Sequence, residues 1–163
     1  MAVFGMVEKL NAQMNRVFYS SNLYLQLSSW CSEHSLNGTA YFLRQQAQGD
    51  VTQMMQLFDY MKESGANPVV GEIKVPGNPC DSLETLFEKA LADHQGRRTA
   101  LAQLFSEAEA LNDTTTLHFL QGIRARLNQT GQLLKTLSDE AHNARIAGMC
   151  MAQTDKHLAG LLH

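Results

Sequence analysis

The distribution of proline constrains this chain more than any other sequence feature. All three prolines, at positions 68, 76 and 79, lie within residues 65–81, a segment that also contains Gly65, Gly71 and Gly77. The parts of the chain on either side contain no proline, and proline is the residue that most strongly interrupts a helix. We therefore expect two helical halves joined by one long connection.

Each half carries two apolar stripes with the helical spacing of three and four residues. Residues 35–38 separate the first pair of stripes, residues 112–114 separate the second pair, and Asp81 to Glu84 has the pattern of a capping box. This order predicts an all-α four-helix bundle with a long crossover between the second and third helices. We expect residues 1–163 to form a single domain, with the bundle over about 5–145 and a short C-terminal helix over about 147–160.

The charge balance argues against nucleic-acid binding. There are 13 Lys and Arg residues against 16 Asp and Glu residues, which gives a formal net charge of -3. Local basic clusters occur only at Arg97–Arg98 and at Arg124 with Arg126. No segment approaches the ~18 apolar residues of a membrane span. Neither nucleic acid nor a membrane is therefore an expected partner.

Cysteine usage indicates a reducing compartment. The three cysteines, Cys31, Cys80 and Cys150, are odd in number, widely spaced and in no CxxC pattern. Such cysteines are typical of reduced thiols in a cytoplasmic protein. Because Cys80 lies in the proline-rich connection, we expect its thiol to be exposed.

Polar residues on the apolar stripes are the strongest sign of a functional site. Asp50 and His94 fall at mid-bundle positions, and Arg97 lies one turn beyond His94. A dinuclear iron site in such a bundle takes Glu from two helices and Glu-x-x-His from the other two. Here the pattern that starts at Asp50 ends in Gln53 rather than histidine. The only carboxylate-x-x-His pattern, at residues 139–142, lies near the end of the fourth helix, where we expect an exposed face.

Three interpretations of these residues remain open. A buried carboxylate is costly unless it is paired, so His94 or an arginine such as Arg97 would supply a positive charge beside Asp50. Alternatively, Asp50 and His94, with Gln53 or Tyr24, would form a weak mononuclear metal site. A working dinuclear centre is the least favoured, because at most two carboxylates cannot neutralise two ferric ions.

At this point the chain resembles the bacterial non-haem ferritins. The resemblance rests on EKLNAQMNR from Glu8, CSEHSLNGTAYFLRQQAQ from Cys31, LFDYMKESGANP from Leu57 and DSLETLFEKAL from Asp81. It covers roughly residues 5–145. VTQMM at Val51 and AGMC at Ala147 are more similar to the enterobacterial ferritin-B type than to the main bacterial ferritin.

The resemblance implies a ferritin-like bundle that assembles into a hollow shell of twenty-four subunits and stores ferric mineral, with iron as its cargo. The haem methionine of bacterioferritins would fall near Val51, so no haem is expected. The ligand positions of the family are substituted in this chain. The ferroxidase positions hold Val17, Asp50, Gln53, His94 and Leu127, and the positions of a third iron site hold Gly49, Arg126, Gln129 and Thr130.

The leading hypothesis is therefore a ferritin-like shell subunit in iron homeostasis with a degenerate ferroxidase centre and little or no iron(II) oxidation of its own. Co-assembly with a competent ferritin would supply the missing activity. A storage ferritin that oxidises iron(II) at a divergent site around Asp50 and His94 is the alternative. A structural shell protein with no iron role is a third hypothesis. Whether the chain is an enzyme stays open. The substitutions at the ligand positions favour a protein without ferroxidase activity.

Overall fold

The computed structural model describes residues 4–74 and 80–162, which include five helices. They are α1 (Phe4–Glu33), α2 (Asn37–Glu63), α3 (Leu83–Ala110), α4 (Thr114–Ile146) and α5 (Met151–Leu161). The prediction of an all-α four-helix bundle with a long crossover and a short C-terminal helix is confirmed. Residues 75–79 of the crossover, with the prolines at 76 and 79, lie outside the described residues. None of the five helices is long and apolar enough to cross a membrane.

Local backbone chemistry sets the ends of the helices. Gly65 and Gly148 have φ values of 83° and 78°, in the left-handed region that glycine enters without strain, and they follow the C-termini of α2 and α4. Because Gly148 follows α4, α5 begins at Met151 rather than near residue 147. The capping box of α3 is shifted by one residue from the prediction. Ser82, not Asp81, is the N-cap, and Thr85 is its partner.

Contacts between helices show why the crossover is long. Asp93 of α3 contacts Arg16 of α1, whereas Glu107 contacts Lys9, so α1 and α3 run in opposite directions. The short connection between α1 and α2 makes that pair antiparallel as well. The helices α2 and α3 are therefore parallel, and the chain must return along the bundle between them.

The core has two hydrophobic clusters, one toward each end of the bundle. The first contains Tyr24, Leu43, Phe87 and Leu137, and the buried face of α5 packs against it through Leu158. The second is built around Met14, Leu57, Leu104 and Leu120. Five buried polar residues lie between the clusters in sequence on α2 and α3. One is Asp93, which pairs with α1, and the other four are Asp50, Gln53, His94 and Arg97. We call these four the mid-bundle polar layer.

Candidate functional site

Arg97 connects the two helices that form the mid-bundle polar layer. Its Nη1 donates to Asp50 Oδ1 at 3.0 Å, and its Nη2 donates to Gln53 Oε1 at 3.0 Å. Asp50 and Arg97 are each only 4% exposed, so water screens their charges weakly. The structure thus brings together three of the residues singled out in the sequence, and the cation beside Asp50 is an arginine rather than His94.

His94 points to α4 instead of to Asp50. Its Nε2 lies 2.8 Å from the backbone carbonyl oxygen of Leu127, so this nitrogen carries the proton and donates it. The ring occupies the space above Gly131, where an added Cβ would overlap with it. Burial lowers the pKa of His94, and the charges of Arg97 and Arg98 lower it further. His94 is therefore a neutral hydrogen-bond donor at neutral pH.

A second arginine approaches Asp50 from α4. The Arg126 guanidinium occupies the space directly above Gly49, so a side chain at position 49 would displace it. Burial raises the pKa of Asp50, and the charges of Arg97 and Arg126 oppose that rise. Among the described residues, Asp50 Oδ2 and Arg97 Nε are buried without a hydrogen-bond partner. Asp50 is therefore flanked by two cations and remains partly unsatisfied.

The other positions singled out in the sequence analysis add no anionic ligand. Val17 and Leu127 are buried apolar residues of the second core cluster. Thr130 is partly buried and Gln129 is exposed. No group of three or more His, Cys, Asp or Glu side chains in residues 4–74 and 80–162 is placed to hold a metal ion.

This arrangement does not fit a pair of iron ions. Two ferrous ions would bring four positive charges to a region that already contains Arg97 and Arg126 and offers one carboxylate. Coulomb repulsion between like charges a few ångströms apart is large where water is excluded. The side-chain oxygen of Gln53 and the Nε2 of His94 are also engaged by other protein groups.

A buried polar cluster between α1 and α3 was missed in the sequence. Asp93 is 8% exposed, accepts from Arg16 Nη1 at 2.7 Å and accepts from the Ser20 hydroxyl at 2.7 Å. Arg16 and Ser20 are separated by one helical turn, and that spacing was the available signal. This second arginine–aspartate pair adjoins the mid-bundle polar layer in sequence, because Asp93 directly precedes His94.

Tyr24, the remaining metal-ligand candidate, is buried within the first core cluster. Burial raises the pKa of its phenol, and the negative charge of Asp50 raises it further. The phenol is therefore protonated at neutral pH, in the form that is the weaker metal ligand.

Two further sequence predictions concern residues outside the layer. His142 lies on an exposed face, as expected for residues 139–142, and its Nδ1 contacts Glu84, which Arg145 also contacts. The prediction that Cys80 is exposed is wrong, because it is 6% exposed and packs in the first core cluster. The chain returns from the crossover into the core at Cys80, just before α3 begins.

Comparisons with known proteins agree with this architecture. A ferritin-like domain model matches residues 7–142. The chain is 53% identical over 162 residues to the bacterial non-heme ferritin-like protein of Escherichia coli K12, which covers 99% of this chain and 97% of that protein. It is 36% identical over 156 residues to the bacterial non-heme ferritin of Escherichia coli O157:H7, covering 96% and 94% of the two chains.

Solved structures show the same fold. A Chlorobium tepidum ferritin matches 89% of each chain with a TM-score of 0.85 and 31% identity. An open-pore ferritin from Archaeoglobus fulgidus matches 96% of each chain with a TM-score of 0.87 and 26% identity. The resemblance noted in the sequence is confirmed over nearly the whole length of the chain. The chain therefore belongs to the family of ferritin-like proteins.

Proposed function

We propose that this chain is the subunit of a cytoplasmic, twenty-four-subunit ferritin-type shell that handles iron without oxidising it rapidly at a mid-bundle centre. The observation that carries the proposal is the position of Arg97, whose guanidinium bonds both Asp50 and Gln53. Iron(II) oxidation requires a site that gains stability as the charge of the metal rises. The positive charges of Arg97 and Arg126 would instead repel a metal ion more strongly as the charge of that ion rises.

The hypothesis of a divergent oxidising site is less well supported. It requires Asp50 and His94 to bind the same ion, yet one oxygen of Asp50 is held by Arg97 and Nε2 of His94 is held by Leu127. A metal ion on the free oxygen of Asp50 would lie close to the Arg97 and Arg126 cations, and repulsion between like charges is large where water is excluded.

Oxidation kinetics test the proposal. We would add about two iron(II) ions per subunit to the assembled protein in air-saturated buffer and follow the ferric absorbance by stopped flow. The E. coli bacterial non-heme ferritin would serve as the reference. We expect the rate to equal that of buffer alone, and to be the same in Asp50→Ala and His94→Ala. Fast oxidation that is lost in either variant would establish the divergent site and contradict the proposal.

A second measurement separates an iron-handling shell from a purely structural one. Ferric iron formed slowly in the presence of the protein would be passed through a size-exclusion column and measured in the protein peak. Retention of iron above a bovine serum albumin control supports a storage role. An assembled shell with no retained iron would support the structural hypothesis.

Co-assembly is the part of the proposal that would give the shell an oxidation activity. The subunit and the bacterial non-heme ferritin would be unfolded, mixed and reassembled, and native mass spectrometry would count each type per shell. We expect mixed shells that oxidise iron(II) in proportion to their content of the competent subunit. Shells that contain only one type of subunit would contradict co-assembly, whatever their oxidation rates.

A further inference from the structure

The groove between α3 and α4 collects arginines that the mid-bundle polar layer does not use. Arg98 and Arg124, one from each basic cluster of the sequence, both line this groove. Both side chains are exposed, and they belong to neighbouring helices. Folding thus converts two separate basic segments into one positively charged surface.

The groove has two connected parts. The smaller has a volume of about 390 Å³, with Arg98 and Arg124 as its charged residues above Leu101, Phe105 and Leu127. The larger has a volume of about 830 Å³ and includes Lys135 and the amides of Gln95 and Gln132. Arg98 and Asn128 line both parts and connect them.

The charge of this groove is opposite to that of the whole chain. Among the residues that the structure describes, no acid lines the smaller part, and Glu88 is the one acid that lines the larger part. Within residues 4–74 and 80–162, neither Arg98, Arg124 nor Lys135 forms an ion pair with a protein carboxylate. Facing cations without an acid repel each other, and a bound anion would relieve that repulsion.

The side chain of Arg124 lies against an aromatic ring. Its guanidinium carbon lies 4.2 Å from the centroid of the Phe105 ring, which is the geometry of a cation–π contact. A guanidinium held against a ring face has fewer accessible orientations than a free one. Preorganisation of this kind lowers the entropy lost when a ligand binds.

From these observations we propose that the α3–α4 groove binds a small oligophosphate, such as a diphosphate or triphosphate, between Arg98 and Arg124. A guanidinium group can donate two parallel N–H bonds to the oxygens of one phosphate. Such charge-assisted hydrogen bonds are stronger than those between neutral groups. The amide of Asn128 supplies a further donor at the point where the two parts meet. Lys135 lies along α4 and attracts the remaining charge of a longer ligand.

Calorimetric titration of the assembled protein with sodium diphosphate tests this site. We expect saturable binding near one ligand per subunit, weaker as sodium chloride is added. Arg98→Gln and Arg124→Gln should each weaken binding by about tenfold or more. Arg124→Lys keeps the charge but not the fork, and it should bind more weakly than the parent. Arg44→Gln removes an exposed arginine of α2, outside the groove, and should change the affinity by less than about twofold.

Three outcomes would overturn the proposal. The first is an absence of saturable diphosphate binding at low salt. The second is an equal loss of affinity in Arg44→Gln, which would indicate general attraction to surface charge. The third is equally tight binding of citrate, which would show that the groove selects negative charge and not phosphate. Unchanged circular dichroism and elution volume of each variant would establish that the comparison is made between folded proteins.

Discussion

At the scale of single residues, the neutral state of His94 has a consequence for stability. Burial lowers the pKa of His94 from its ordinary value of 6.5. Between the lowered pKa and 6.5 the unfolded chain binds more protons than the folded one, so the free energy of unfolding falls as the pH falls through that interval. The slope per titrating residue reaches about 1.4 kcal/mol per pH unit at most.

We therefore expect the parent to lose more stability than His94→Gln when the pH is lowered from 7.5 to 5.5. Denaturant unfolding at both pH values measures the difference. All other titratable residues are common to the two proteins, so the comparison isolates position 94. Equal pH dependence in parent and variant would mean that His94 titrates alike in the folded and unfolded chains.

Gly131 provides the space that His94 requires. An added Cβ at position 131 would overlap the imidazole ring, which is buried and held by the Leu127 carbonyl. Gly131→Ala should therefore lower the free energy of unfolding by about 1–3 kcal/mol. Gly122→Ala on the same helix meets no atom within 4 Å, so it should raise stability by about 1 kcal/mol through helix propensity.

A double variant identifies the cause of that effect. If the His94 ring is the obstacle, Gly131→Ala should lower the free energy of unfolding much less in a His94→Ala background than in the parent. The measurement is a double-mutant cycle by denaturant unfolding. Additive costs in the cycle would show that Gly131 acts through the backbone and not through His94.

The residues of the mid-bundle polar layer were visible in the sequence because they interrupt apolar stripes at helical spacing. Their partners were not visible. Whether Arg97 or His94 lies beside Asp50 depends on side-chain direction, and spacing does not determine that direction. In the sequence, Arg126 was noted only as a position that holds no acidic ligand. Its approach to Asp50 could not be predicted, because it depends on the close contact with Gly49.

At the scale of helices, α5 completes the N-terminus of α2. Leu36 is the N-cap of α2 and offers no side-chain hydrogen bond. Asp155 of α5 accepts instead from the backbone N–H groups of Gly38 and Thr39, at 3.1 Å and 2.7 Å. A carboxylate at this end also interacts favourably with the helix dipole. Gly38 permits the close approach, because an added Cβ would lie 2.8 Å from the Cβ of Ala159.

We expect Asp155→Ala to loosen both helices. Loss of the cap should cost about 1–2 kcal/mol. Hydrogen exchange should accelerate at residues 38–40 and throughout α5, while α3 stays protected. Asp139→Ala, which removes an exposed carboxylate of α4, is the matched control and should leave exchange unchanged. Similar exchange in the two variants would show that α5 is held by its apolar face alone.

The helices could be predicted because few other folds are compatible with four long apolar stripes and one proline-rich connection. The cap from α5 was not predictable, since Asp155 and Thr39 are 116 residues apart. The capping box at α3 was predicted one residue too early. Asp81 and Ser82 are both good N-cap residues, and choosing between them requires the backbone conformation of each.

At the scale of the whole molecule, the polar layer interrupts what would otherwise be one continuous hydrophobic core. Burying an arginine–aspartate pair costs more solvation energy than its attraction usually returns. Two polar atoms of this pair, Asp50 Oδ2 and Arg97 Nε, lack partners among the described residues. The pair is therefore expected to contribute little net stability to the bundle.

Replacement of the layer by apolar side chains tests this expectation. Asp50→Leu, Gln53→Leu and Arg97→Met together should leave the protein equally stable or more stable by about 1–4 kcal/mol. Arg97→Met alone should destabilise it by about 3–5 kcal/mol, because Asp50 then loses its principal partner. Denaturant unfolding of correctly assembled protein gives both values. A triple variant that is less stable than Arg97→Met would show that the layer holds the bundle together. A stable triple variant would mean that stability is not what the buried Arg97–Asp50 pair provides.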